Sequence, residues 1–335
     1  MTDKLPITVI IAARNEEANI ERCLSSLSPA ERVLLIDSNS SDKTVPIARE
    51  CGAEIYEFKY KGGYPKKRQW ALDYLPISTE WVFLIDADEA VPEKLWKEIS
   101  RTINRKDAAD AYLITKGLHF LGRRFRFGGF SHSAILLFRK GKAHFEKLFV
   151  APADSQDMEV HERMLVDGSI RKLNTPLIHE DFKGLEAYIT RHNFYSTWEA
   201  QHRFHFLKTG NWGEESVHPK LFGNTQERRR WLKKLMLRLP CEPLLWFAYH
   251  FIFRFGFLEG RAGLIASQLR ARHFSQARAK FYELKLKNRS QVSGRKSQVA
   301  SHKPENGTMK SRDSKFVTRN PQSEICNQPN ENPAR

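Results

Sequence analysis

Four short apolar runs punctuate the first ninety residues, at 7–13, 32–36, 53–58 and 81–85. The run at 81–85 is unbroken, which suits a strand buried on both faces rather than one with a wet side. The segments between them carry helical spacing. Ile20, Cys23, Leu24 and Leu27 form an i, i+3, i+4, i+7 stripe that stops before Pro29. A second helix is predicted from Thr44 to Glu50, ending at Gly52, and a third from Lys66 to Leu75 after Gly62-Gly63-Tyr64-Pro65. Asn15, followed by Glu16 and Glu17, has the chemistry of an N-cap with acids in the first helical turn. Strand and helix therefore alternate, which predicts an α/β fold with a mostly parallel central sheet and helices on both faces.

Acids stand after successive strands. Glu16 and Glu17 come after the first, Asp37 after the second, and Asp86 and Asp88 after the fourth. Residues i and i+2 of an extended segment project to one side, so Asp86 and Asp88 are expected to point together from a strand's carboxyl end. Ligands of open α/β sheets collect at that end. Two converging carboxylates there suit a divalent cation with an anionic ligand; a solvated acidic turn is the other reading. Neither a Gly-x-Gly-x-x-Gly after the first strand nor a Gly-Lys-Ser/Thr phosphate loop is present, which argues against dinucleotide and P-loop folds.

Charge narrows the partners. The 335 residues hold 55 Lys and Arg against 39 Asp and Glu, a net charge of +16. Such an excess predicts an anionic partner: nucleic acid, a phosphorylated substrate or an acidic membrane surface. The four cysteines, Cys23, Cys51, Cys241 and Cys326, are scattered without metal spacing, as for free thiols in a reducing compartment. The first residues lack a charged-then-apolar leader pattern, so a cytoplasmic protein is expected.

Three blocks, Ile-Ile-Ala-Ala-Arg-Asn-Glu-Glu (10–17), Leu-Ile-Asp-Ser-Asn-Ser-Ser-Asp-Lys-Thr (35–44) and Phe-Leu-Ile-Asp-Ala-Asp-Glu (83–89), together resemble the family 2 glycosyltransferases. The resemblance implies the GT-A fold and inverting transfer from a nucleotide-diphosphate sugar with a divalent metal, Mg2+ or Mn2+. It implies that Asp37 contacts the base, Asp86 the ribose, and Asp88 the metal as the second acid of an Asp-x-Asp motif. The family's second block usually carries two adjacent acids; here the second position is Ser38. Arg68 best matches the family's basic contact before the fourth strand. Lys66 and Lys67 stand beside it at a helix N-terminus; an exposed, solvated basic face is the alternative for all three. Glu16, in the first block, is also placed at the nucleotide.

Further strands are predicted at 112–114, 134–139, 145–150 and 158–166, with Arg123 to Gly129 as a basic and aromatic loop on the acceptor side. An inverting transfer needs a base for the acceptor hydroxyl. Glu162 is the candidate, with Glu159 and Asp157 in reserve; a surface ion pair with Arg163 is its alternative role. His179 is a candidate second metal ligand or a structural histidine. The Val-His-Glu block at 160–162, the Pro-Leu-Ile-His segment at 176–179 and Gly256 to Gly263 resemble the lipopolysaccharide-core glucosyltransferase branch, which implies UDP-glucose as donor and an envelope glycolipid or polysaccharide precursor as acceptor.

A helix crowded with aromatics and histidines is predicted from 184 to 206, packed on the sheet. The apolar run 244–258 is broken by His250 and Arg254 and falls short of the roughly 20 residues of a spanning helix. An interfacial segment on the inner membrane face is expected, with a buried helical hairpin as the alternative. The expected organisation is a GT-A domain at 1–210, a basic, apolar helical region at 211–287 and a disordered tail at 288–335. Nucleic acid is not the expected partner. The rival to an enzyme is an inactive protein of the same fold that binds membrane or RNA.

Overall fold

The computed structural model describes residues 4–148, 163–215, 219–223, 225–236, 239 and 241–300. The first half alternates β1 (Leu5–Ala13), α1 (Ile20–Ser25), β2 (Ala30–Asp37), α2 (Thr44–Glu50), β3 (Glu54–Glu57), α3 (Lys67–Tyr74) and β4 (Trp81–Asp86). Then come β5 (Glu89–Ala90), α4 (Glu93–Ile103), β6 (Ala111–Phe120), β7 (Arg123–Arg124), β8 (His132–Arg139), β9 (Ala143–Phe145) and β10 (Lys147–Leu148). Beyond residue 162 lie β11 (Met164–Val166), β12 (Ile170–Lys172), β13 (Leu177–His179), α5 (Gly184–Thr209), β14 (Gly213–Glu215), α6 (Thr225–Met236), α7 (Glu242–Ala248) and α8 (Gly260–Ala300).

The main sheet runs β3-β2-β1-β4-β8-β6-β13-β5. Its first four strands are parallel, β8 is antiparallel to both β4 and β6, and β13 returns parallel to β6. The apolar runs are continuous because both faces are covered. On β4, Trp81, Phe83 and Ile85 join one core with Ile20 and Cys23 of α1, Ala48 of α2, and Leu95, Trp96 and Ile99 of α4. The alternate residues Val82 and Leu84 join a second core with Ala71 of α3. This sheet with a helix layer on each side is the α/β architecture that the sequence pattern predicts. Among the described residues no helix is long and apolar enough to cross a membrane. Cys23, Cys51 and Cys241 are free thiols.

Two local expectations fail. Asn15 does not cap a helix: α1 starts at Ile20, and Asn15 has φ 54°, in the left-handed region. Its backbone N–H donates to Ser40 Oγ at 2.9 Å, and its Oδ1 accepts from the Ser41 N–H at 2.9 Å. Glu16 N–H donates to Thr44 Oγ1 and Glu17 N–H to Asp42 Oδ2, so the loops after β1 and β2 are zipped together. The aromatics of α5 also do not all face the sheet. Tyr188 meets Phe120 at the end of β6, but Trp198, Phe206 and Trp212 form their own cluster, and His192 meets His273 of α8.

α5, α7 and α8 are joined by a buried charge network. Arg203 donates to Glu199 at 2.7 Å and grips Glu242 with both terminal nitrogens at 2.7 and 2.9 Å. Such a two-pronged pair fits guanidinium to carboxylate geometry. Trp246 of α7 stacks on Phe274 of α8, and Lys280 donates to Asn193, Ser196 and Thr197 of α5. Met1–Asn288 forms one compact unit and Arg289–Arg335 another. α8 itself continues as helix to Ala300, past the point where composition predicts loss of structure.

Burial pushes His192, His250 and His273 down to about 4, with the Arg270 cation adding to the effect on each. An unfolded histidine titrates near 6.5. As pH falls through 6.5 the unfolded chain takes up protons that the folded chain refuses, so stability is full above about 6.5 and declines until about pH 4. The expected loss is up to about 3 kcal/mol per imidazole. Urea unfolding at stepped pH measures it, and His273→Leu is expected to flatten that slope.

Candidate active site

β1 lies between β2 and β4, with Ala13 opposite Asp37 and Ala12 opposite Asp86. The two aspartates therefore stand at the carboxyl ends of the strands flanking the central one, where a parallel sheet places its ligands. Asp37 is buried and accepts from the Ser40 N–H at 3.0 Å and the Ser40 hydroxyl at 2.5 Å. That turn holds the zipped loops against the strand end. Ser38, in the family's second acidic position, has a buried hydroxyl with no hydrogen-bond partner among the described residues.

Asp86 is paired with Arg68 and, at 2.6 Å, with the Lys116 ammonium. Lys116 also meets Glu89 at 2.7 Å. Burial works against the Asp86 charge, but the two cations outweigh it and hold the carboxyl well below the usual carboxylate range. Burial equally opposes charge on Lys116; Asp86 and Glu89 overcome it and raise the ammonium's pKa. Glu89, fully buried, accepts from the Asp86 N–H at 2.8 Å and is lowered, Lys116 prevailing over burial. Lys116 and Glu89 are thus the keystone of the strand ends.

Asp88 lacks such compensation. Burial raises its carboxyl above the ordinary value, Asp86 and Glu89 add to the rise, and only His179 and Arg191 oppose it. His179 Nε2 lies 3.8 Å from Asp88 Oδ2, while Nδ1 lies 3.3 Å from Glu89 Oε1. The two carboxylates outweigh burial and leave the imidazole at about 9. A metal-bound histidine commonly gives its other ring N–H to a carboxylate, and Glu89 stands in that place. Among the described residues no group of three or more acidic, histidine or cysteine side chains could hold an ion unaided. Asp88 and His179 fit a Mg2+- or Mn2+-type site that takes its remaining ligands from phosphate and water.

Arg68 is at the site through Asp86, and its neighbours Lys66 and Lys67 are buried rather than an exposed basic face. Lys67 Nζ donates to the Ala13 carbonyl at 3.0 Å, fixing the end of β1. The Glu16 carboxylate takes Lys183 at 2.6 Å and the Asn19 amide at 2.9 Å. Burial still raises its pKa despite Lys183. Glu162, with His161, Glu159 and Asp157, lies outside the described residues. Sequence reasoning missed Lys116, Glu89, Arg22 and Arg191. Arg22 donates to the carbonyls of Asp88 at 2.9 Å and Glu180 at 2.6 Å, and Arg191 pairs with Asp181 at 2.8 Å. A lysine inside an apolar strand run was the one available signal for Lys116.

Residues 8–143, which contain Asp37, Arg68, Asp86, Asp88, Glu89 and Lys116, match the model of Glycosyl transferase family 2. The chain carries a family 2 glycosyltransferase domain. An uncharacterized glycosyltransferase of Rickettsia typhi is 27% identical over 296 residues, covering 85% of this chain and 90% of that protein. The lipopolysaccharide core biosynthesis glycosyltransferase LpsC of Rhizobium meliloti is 27% identical over 207 residues, 60% of this chain and 72% of LpsC. Among solved structures, glucosyl-3-phosphoglycerate synthase of Mycobacterium tuberculosis, crystallised with Mn2+, uridine diphosphate and glucosyl-3-phosphoglycerate, is 25% identical over 35% of this chain and 45% of that chain, with a TM-score of 0.28. The residues matched by the family model run from β1 through β8.

Proposed function

We propose that the protein moves a hexosyl group, glucose from UDP-glucose as the favoured donor, to a hydroxyl of an envelope glycolipid or polysaccharide precursor, with inversion, on the inner face of the cell membrane. The observation that carries the reading is that Asp37 and Asp86 stand at the carboxyl ends of β2 and β4, on either side of β1, with Asp88 two residues beyond β4. On this reading Asp37 would meet the base and Asp86 the ribose. A divalent cation, Mg2+ or Mn2+, held by Asp88 with His179 would supply positive charge to the diphosphate. The name of LpsC supports the choice of acceptor.

The chain's own work is orientation and proton transfer. The acceptor oxygen bonds to the anomeric carbon as the bond from that carbon to the diphosphate oxygen breaks. The hydroxyl proton passes to a carboxylate, assigned to Glu162. Arg68, at the N-terminal end of α3, lies beside Asp86 where the phosphates would follow the ribose.

A thermal-shift screen of UDP, GDP and CDP with and without Mg2+ or Mn2+ tests the reading. UDP with metal is expected to stabilise most, by about 2.7 kcal/mol at a hundredfold excess over Kd. Absence of any metal-dependent nucleotide effect would sink it. An inactive protein of this fold that binds RNA would instead show RNA affinity falling steeply with salt.

A further inference from the structure

Residues 244–258 turn an apolar side outward. Leu244, Ile252, Phe253, Phe255 and Phe257 are 72, 53, 71, 54 and 47 % exposed. The segment is nevertheless built, not loose. After α7 it makes a π-helical turn (Tyr249–Phe253) and a 3-10 turn (Gly256–Glu259), anchored by buried His250, Gly256 and Glu259. Phe255 has φ 58°, a left-handed conformation seldom taken by a bulky residue. The backbone is held there while the ring stays in solvent.

The same anchors fuse this segment to the loop after β6. His250 Nδ1 lies 2.6 Å from the Gly128 carbonyl, and the Gly128 N–H donates to the Arg254 carbonyl at 2.7 Å. Glu259 Oε1 accepts from the N–H groups of Arg126 and Phe127 at 2.7 and 2.9 Å. The loop adds exposed Leu121 and Phe127, with Arg123, Arg124 and Arg126 also exposed. Across 119–130 and 244–261 the sole acid is Glu259, and it is buried with its carboxylate spent on that loop. Arg124 also lines a groove of about 730 Å³ with Lys94, Lys97 and Arg101, in which Glu98 is the one lining acid.

We propose that this ledge seats the protein on an anionic lipid bilayer, its phenylalanines entering the boundary between headgroups and acyl chains and its arginines meeting lipid phosphates. Exposed aromatics among cations, without exposed acid, match such a surface in both polarity and charge. A second copy fits less well, because an isologous contact would press two arginine-studded faces together. RNA would find phosphate contacts, but Leu244 and Ile252 offer no ring for base stacking. The ledge belongs to the extension of β6, the strand that carries Lys116 into the strand-end site. On the transferase reading, seating it presents a lipid-borne acceptor to that site.

Sedimentation of the full chain with phosphatidylcholine vesicles, with and without phosphatidylglycerol, tests the proposal. Binding to the anionic vesicles is expected, with part of it surviving high salt because of the inserted rings. Phe253→Glu with Phe257→Glu is expected to weaken vesicle affinity by roughly tenfold or more. Ile252→Ser with Phe253→Ser adds no charge and is expected to weaken it likewise. Vesicle binding unchanged in both pairs would overturn the proposal, as would a fall in oligomeric mass by light scattering without a change in vesicle binding. Stabilisation by UDP and metal is read on the same variants and is expected to persist. Its absence from the parent protein would remove the transferase reading and leave the bilayer result standing.

Discussion

Replacing Lys116 with methionine is expected to cost about 3–5 kcal/mol of folding stability, the range for breaking a buried ion pair from one side. The ammonium sits 2.6 Å from Asp86 and 2.7 Å from Glu89, and Glu89 has no solvent to fall back on. Arg68 remains beside Asp86 in the variant, and Glu89 keeps His179 and the Asp86 N–H. Lys116→Met with Glu89→Gln removes the stranded charge and is expected to recover part of the loss. Urea unfolding of the two variants and the parent measures both effects. A single variant as stable as the parent would mean that this charge cluster is not held out of water.

Asp88→Asn is expected to move stability and activity in opposite directions. Burial and the neighbouring carboxylates of Asp86 and Glu89 already work against charge at Asp88. Removing that charge relieves repulsion, so the melting temperature is expected to hold or rise. Transfer is expected to fall by about a thousandfold or more, since a metal contributes several kcal/mol of charge stabilisation and each 1.36 kcal/mol is a factor of ten. Initial rates of sugar transfer and donor hydrolysis, with and without Mn2+, measure the loss. Full metal-dependent activity in the variant would remove Asp88 from the site.

Much of this arrangement is legible in the chain because its signals are local. The runs ending at Asp37 and Asp86 read as strands from apolar continuity alone, and Thr44–Glu50 lies where the sequence places it, just before Gly52. The failures share a different cause. Lys116 looks like the end of the 112–114 run, yet β6 continues through it to Phe120, because two acids distant in sequence compensate its burial. Asn15 has the composition of a cap, but its partners lie on the loop after β2. Lys66 and Lys67 resemble a wet basic face until α3 is laid over the end of β1. Each of these depends on pairings that local periodicity does not encode.

The backbone ladder also acts as a ruler. Asp37 and Asp86 flank β1 in fixed register, so their strands stand two interstrand spacings apart, about 9.6 Å at 4.8 Å each. That span is set by main-chain hydrogen bonds, not by the size of any side chain between them. Trimming Ile10 or Ile11 would loosen the core without changing the gauge, and swapping core residues between relatives should leave ligand choice untouched. An insertion that shifts the register of β1 by one residue would instead turn Ala12 and Ala13 to the opposite faces.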